Sequence, residues 1–217
     1  MTMSPPPPAP IPRGLRFASI LSLVLAAFTG WAALTEATRL AHFYETRELH
    51  LEQAPLVSLG DPAVDRRMVE SLYSALEPMR EPRAVLLGIL AVGCAFVFVA
   101  AGRMLRPDGL PREGMRLLLS RAAITVAVLR TIDGAQSAVV SRRMTQALVD
   151  SLGSLPVSKD PLAADVVRTL APWFGLGLSV VGTALVAGTF ALLGQYFRSD
   201  AVRDAISAQD GPQEESE

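Results

Sequence analysis

Arg130 and Asp133 stand three positions apart in the run 117–140, which is otherwise apolar enough to enter a bilayer apart from Arg121. On a helix that spacing puts the two side chains on adjacent turns, where they can pair. A charge at the centre of a membrane helix costs about 2.5–3.5 kcal/mol on the insertion scale, so such residues are rare and face protein or water. Two kinds of chemistry fit the pair. It can serve an ion or proton pathway, or it can be a neutralised contact that holds its helix to the neighbouring ones. The second is the expectation adopted here.

Other reactive combinations are missing. His42 and His50 lie near Glu45 and Glu48, but an eight-residue interval does not set two imidazoles on adjacent turns, and no recognised metal-ligand spacing is present. No glycine-rich phosphate loop, nucleophile elbow or paired-histidine helix motif occurs. No metal, no cofactor and no enzymatic activity are therefore expected. Cys94 is the one cysteine, so an intrachain disulfide is impossible. The formal net charge of −1 gives no basic surface for phosphate, and nucleic acid is not an expected partner.

Small residues form two further patterns. Gly175, Ser179, Thr183 and Ala187 recur at every fourth position, and Gly88, Ala91 and Ala95 make a shorter stripe. In lipid, helices associate by close backbone approach and hydrogen bonds, and small stripes mark such contacts. Contacts within the bundle are expected ahead of contacts to a second copy.

The elements that must position these residues are apolar blocks. Residues 84–102 hold no charge between Arg83 and Arg103, and at 1.5 Å per residue they can cross a hydrocarbon core of about 30 Å. Residues 173–197 form a second block of this kind. Residues 17–36 form a third, longer than a signal peptide's usual apolar core and without a clean cleavage site after it, so it reads as a retained span. The fourth span, 117–140, competes with an amphipathic helix lying in the interface. Half of the residues are apolar and the mean hydropathy is +0.34, which suits a membrane protein of 217 residues better than one soluble domain.

The expected fold is an all-α membrane protein, a four-span helical bundle with helical extensions outside the membrane. Residues 1–13 form a proline-rich disordered arm. Residues 14–108 form a first hairpin with spans at about 17–36 and 83–103 and an outer segment 37–82. Residues 109–200 form a second, with spans at about 117–140 and 173–197, and 201–217 an acidic disordered tail. Pro55 closes the first outer helix, and Asp61-Pro62 opens the next, as Asp160-Pro161 does in the second hairpin.

Several matches read as an internal duplication of parallel repeats. Gly14-Leu15-Arg16 corresponds to Gly114-Met115-Arg116, and Val69-x-Ser71-Leu72 to Val167-x-Thr169-Leu170. Each half closes with the same pattern, Gly102-x-x-x-Arg106-x-Asp108 and Gly194-x-x-x-Arg198-x-Asp200.

The basic loop 103–121 argues for a cytoplasmic position, and hence for both termini in the cytoplasm. Lys159 is the one lysine among twenty basic residues, a bias that fits the codon usage of a GC-rich bacterium. The expected location is a bacterial inner membrane. The expected role is a non-catalytic scaffold, accessory or sensory subunit, with the bilayer and either a second copy or another membrane protein as partners. The alternative is a small transporter or channel using Arg130 and Asp133.

Overall fold

The computed structural model describes residues 12–52, 62–106, 112–152 and 161–210. They are helical throughout apart from short junctions, and no strand occurs among them. The helices are α1 (Arg13–Ala41), α2 (Phe43–Glu52), α3 (Pro62–Leu76), α4 (Arg80–Leu105), α5 (Arg112–Leu152), α6 (Pro161–Arg198) and α7 (Asp200–Asp210), with a 3₁₀ turn at Glu77–Met79 before α4. Three helical stretches are long and apolar enough to cross a membrane: Arg13–Ala41, Val69–Leu105 and Leu176–Arg198. They expose large apolar side chains such as Phe17, Phe28, Val92, Phe96, Leu185 and Leu192, which suits lipid and not water. Helix α5 is not among them, because Arg121, Arg130 and Asp133 punctuate its apolar part.

Local chemistry explains the joints. Pro78 sits in the 3₁₀ turn and Pro82 in the first turn of α4, where a missing N–H costs nothing. Pro62 and Pro161 are the first residues of α3 and α6, while Asp61, Asp160 and Pro55 lie outside the described residues. Between α1 and α2, the His42 N–H donates to the Thr38 carbonyl at 3.1 Å and the Thr46 N–H to the His42 carbonyl at 2.9 Å, so the path barely breaks. Helix α6 continues through Pro172. Helix α5 likewise passes the expected limit at residue 140 and reaches Leu152.

The chain divides into two compact units. The first comprises Met1–Ala32, Leu90–Val128 and Val186–Glu217. Four close approaches close a ring of helices within it. A Cβ on Gly30 would stand 2.9 Å from the Cβ of Cys94 (α1 to α4), and one on Gly93 3.0 Å from Val126 Cγ2 (α4 to α5). One on Gly194 would stand 2.7 Å from Ile124 Cγ1 (α5 to α6), and one on Gly14 3.1 Å from the Tyr196 hydroxyl (α6 to α1). Leu90, Val97, Met104, Leu119, Phe190 and Phe197 fill the interior. Ser120 Oγ donates to the Gly194 carbonyl at 2.8 Å, and Arg116 Nη1 donates to the Phe197 carbonyl at 2.7 Å.

The same unit carries a correction. Residues from 201 were expected to be a disordered acidic tail, but Asp200–Asp210 is helix α7, with Val202 and Ile206 buried. The acidic residues that set the expectation, Glu214, Glu215 and Glu217, lie beyond the described residues. Nearer in, two apolar residues four apart make one helical face.

The second unit comprises Ala33–Ile89 and Leu129–Leu185. Here α2 packs on α3. The Phe43 and Tyr73 rings meet edge to face at 5.0 Å, and His50 Nδ1 lies 2.7 Å from the Tyr73 hydroxyl. The Arg80 guanidinium stands 5.0 Å from the Tyr44 ring centroid, a cation–π contact between the start of α4 and α2. The matched residues of the expected repeat have unlike surroundings: Arg116 is buried whereas Arg16 is exposed, and Gly194 is a tight contact whereas Gly102 has ordinary clearance.

Candidate functional site: a buried charge network

Arg83 is the centre of the site. It opens the apolar stretch of α4, and its side chain is 5% exposed. Its Nε and Nη2 donate to Glu36 Oε1 on α1 at 3.0 and 2.6 Å. Nη2 also donates to Ser137 Oγ on α5 at 3.0 Å and lies 3.4 Å from Asp133 Oδ1. Asp133 is wholly buried and forms a second ion pair, with Arg130 one turn back on the same helix. One guanidinium therefore joins three helices, and the four formal charges cancel.

A helix geometry brings these groups together. Asp133 and Ser137 are four residues apart, so they share one face of α5 and present an acceptor pair to Arg83. Gly134 lets α6 approach beside them: a Cβ there would stand 2.7 Å from Thr183 Cβ. The network is not saturated. Arg83 Nη1, Arg130 Nε, Asp133 Oδ1 and the side-chain oxygen of Gln136 are buried with no hydrogen-bond partner among the described residues. Such leftover capacity is costly in a low-dielectric interior unless something else meets it. Truncating one member of a buried ion pair costs about 3–5 kcal/mol, whereas the intact pair can be nearly neutral against an apolar replacement. The arrangement thus fixes geometry more than it adds stability.

A cavity of ≈ 420 Å³ adjoins Arg83 in this unit. Glu36, Arg83, Ser137 and Ser141 form part of its polar wall.

Arg130 and Asp133 were singled out from the sequence; Glu36 and Arg83 were not. The two sat at the ends of apolar blocks, where charged residues are ordinary, and only their facing positions on α1 and α4 give them a role. Of the small residues, Thr183 packs against Gly134 and Ala187 is buried, while Ala91 and Ser179 are half-buried and Ala95 is exposed. A Cβ on Gly88 would meet nothing within 4 Å, and the surroundings of Gly175 fall outside the described side chains. The tight glycines are instead Gly30, Gly93, Gly134 and Gly194, isolated glycines inside helices, the signal that marks a close approach.

Among the described residues no group of three or more His, Cys, Asp or Glu side chains could hold a metal ion. His50, considered as a ligand, turns to Tyr73. Outside the apolar stretches, the Arg116 guanidinium hydrogen-bonds to Glu113 and holds its carboxyl below the usual glutamate range. No protein-family model matches the chain, and no curated protein or solved structure is significantly similar to it.

Proposed function

We propose that this chain is a four-span protein of a bacterial inner membrane, with both termini cytoplasmic, acting as a non-catalytic scaffold, accessory or sensory subunit. The supporting observation is the contact of Arg83 with both Glu36 and Asp133. It answers the charges of α5 inside the protein, which removes the main objection to α5 as the fourth span, since paired charges facing protein are tolerated in lipid. Exposed Trp31 and Trp173 near the outer ends of their spans suit the interfacial aromatic positions. Helices α2 and α3 and the far end of α5 then stand outside, where a second copy or another membrane protein can meet them. The internal duplication is kept as part of this reading, as an ancestral relation whose environments have since diverged.

A transport role for Arg130 and Asp133 gains less support, because α1, α4, α5 and α6 run unbroken past the network. Transporter sites are usually built from interrupted helices.

Topology is tested by alkaline phosphatase and fluorescent-protein fusions at Glu217. Fluorescence without phosphatase activity is expected; phosphatase activity there sinks the fourth span. The partner-binding role is tested by Leu49→Cys on the exposed face of α2, followed by thiol crosslinking in membranes. A discrete crosslinked species is expected, and none from this or neighbouring positions on α2 counts against a subunit role.

A further inference from the structure

We propose that this chain binds a second copy of itself, the acidic face of α2 in one copy lying against the basic face of α5 in the next. This deepens the subunit reading above and rests on it, since four spans put both faces on the same side of the membrane.

Each face follows from helical spacing. On α2, Glu45, Glu48, Leu49 and Glu52 fall at intervals of three and four, so they share one side, and all four are exposed. Phe43 is buried on the opposite side and His50 reaches Tyr73 of α3, so packing on α3 leaves the carboxylates turned outwards. On α5, Val139, Arg142, Arg143 and Gln146 repeat the same intervals and are also exposed. No acidic residue occurs between Val139 and Gln146.

Neither face is answered within the chain. Glu45, Glu48, Glu52, Arg142 and Arg143 make no ion pair or side-chain hydrogen bond among the described residues. Glu36, Arg83, Arg130 and Asp133, nearer the apolar blocks, are all paired. Leu49 adds a large apolar side chain, 53% exposed, to the centre of the acidic face, the mixture found in protein interfaces.

Position selects a second copy over other partners. Glu36 and Asp133 meet at Arg83, which sets a common level for α1 and α5. Glu45 is nine residues on from Glu36, and Arg142 nine residues on from Asp133, about 13 Å along each path at 1.5 Å per residue. The opposite charges therefore stand at one level above the network, where copies side by side in a membrane bring them together. An unrelated partner would answer one face and leave the other, whereas a second copy answers both. Repeated about an axis along the membrane normal, the contact closes a dimer or a ring.

The test uses full-length chains carrying donor or acceptor fluorophores, reconstituted together in phosphatidylcholine vesicles. Energy transfer between native copies is expected. Glu45→Arg with Glu48→Arg makes both faces basic, and Arg142→Glu with Arg143→Glu makes both acidic. Each reversed chain alone is expected to associate at least about tenfold more weakly, because like charges then meet. The two mixed together are expected to regain the native transfer, as is one chain carrying all four reversals. Should a reversed chain not fold, Glu45→Gln with Glu48→Gln supplies the reading and is expected to weaken association to a smaller degree. Native association in a folded reversed chain overturns the contact, as does a mixture of the two that shows no transfer. Transfer that requires phosphatidylglycerol in the vesicles means that Arg142 and Arg143 meet lipid phosphate, and overturns it too. Absence of self-association beside a Leu49→Cys crosslink to a different protein overturns this contact alone and leaves the subunit reading standing.

Discussion

Arg83 Nη2 lies 2.6 Å from Glu36 Oε1, so α1 and α4 are tied by a charge-assisted bond between residues 47 apart in the chain. The same nitrogen reaches Ser137 and Asp133 on α5. Loss of Arg83 therefore removes three contacts at once and leaves Asp133 with Arg130 alone.

Asp133→Asn is expected to lower stability by about 3–5 kcal/mol, because both arginines lose a buried counter-charge. Thermal melting in detergent measures it. The pairwise replacement Arg130→Leu with Asp133→Leu is expected to recover only part of that loss, since Arg83 keeps Glu36 but no longer faces Asp133. A double-mutant cycle giving no interaction energy between Arg130 and Asp133 would refute their pairing.

Gly134→Ala places a methyl group 2.7 Å from Thr183 Cβ, and the helices must separate or tilt to admit it. A destabilisation of about 1–3 kcal/mol is expected from such overpacking. Thr183→Gly in the same chain is expected to restore most of it, whereas it is expected to destabilise the otherwise native protein. Additive effects from the two substitutions would mean that this contact is not made. Gly88→Ala, where a Cβ meets nothing within 4 Å, serves as the control and is expected to be neutral or slightly stabilising.

Ile206 is fully buried on α7, and Ile206→Ala is expected to cost about 2–5 kcal/mol. The exposed Ser207→Ala on the same helix is expected to change little. Equal and negligible effects would mean that α7 does not dock. Protease sensitivity at residues 200–210 offers an independent reading, with cleavage accelerated in Ile206→Ala.

The pH dependence of the Glu113–Arg116 pair has a definite sign. Arg116 holds the Glu113 carboxyl below its ordinary pKa, so its folded value is lower than its unfolded value of about 4.3. The stabilisation is present above that unfolded value and is lost as pH falls through the lower folded one. The Glu113 side chain is 43% exposed, so solvent screening keeps the effect small. Glu113→Gln is expected to flatten the acid limb of a melting-temperature profile and to leave the neutral region nearly unchanged. A profile identical to that of the native chain would show that the pair contributes nothing.

Much of the helical organisation was legible in the sequence, since apolar runs and proline positions are local signals. The three stretches able to cross a membrane follow from charge-free runs, and the separation of the outer helices α2 and α3 from Pro55 and Asp61-Pro62. What escaped was set by distant neighbours. Pro172 looks like a stop when read locally, but α6 passes through it. The end of α7 was judged by Glu214, Glu215 and Glu217, while Val202 and Ile206, the residues that fold it, are individually ordinary. In the site, the Arg130 and Asp133 spacing was visible because they belong to one helix. Arg83 and Glu36 belong to two others, and no pattern in one dimension shows that they face the same aspartate.

That chain order bears on how the protein is made. Glu36 and Arg83 are synthesised before Asp133, so in a ribosome-bound chain the cation that answers the aspartate has already left the tunnel when α5 emerges. If α5 is the fourth span proposed above, it would meet the membrane with its counter-charge already in place on α4, and a helix too polar to partition into lipid unaided could be drawn in against it. Reordering the two hairpins in the gene would deprive α5 of that escort, although every contact of the finished protein would still be available.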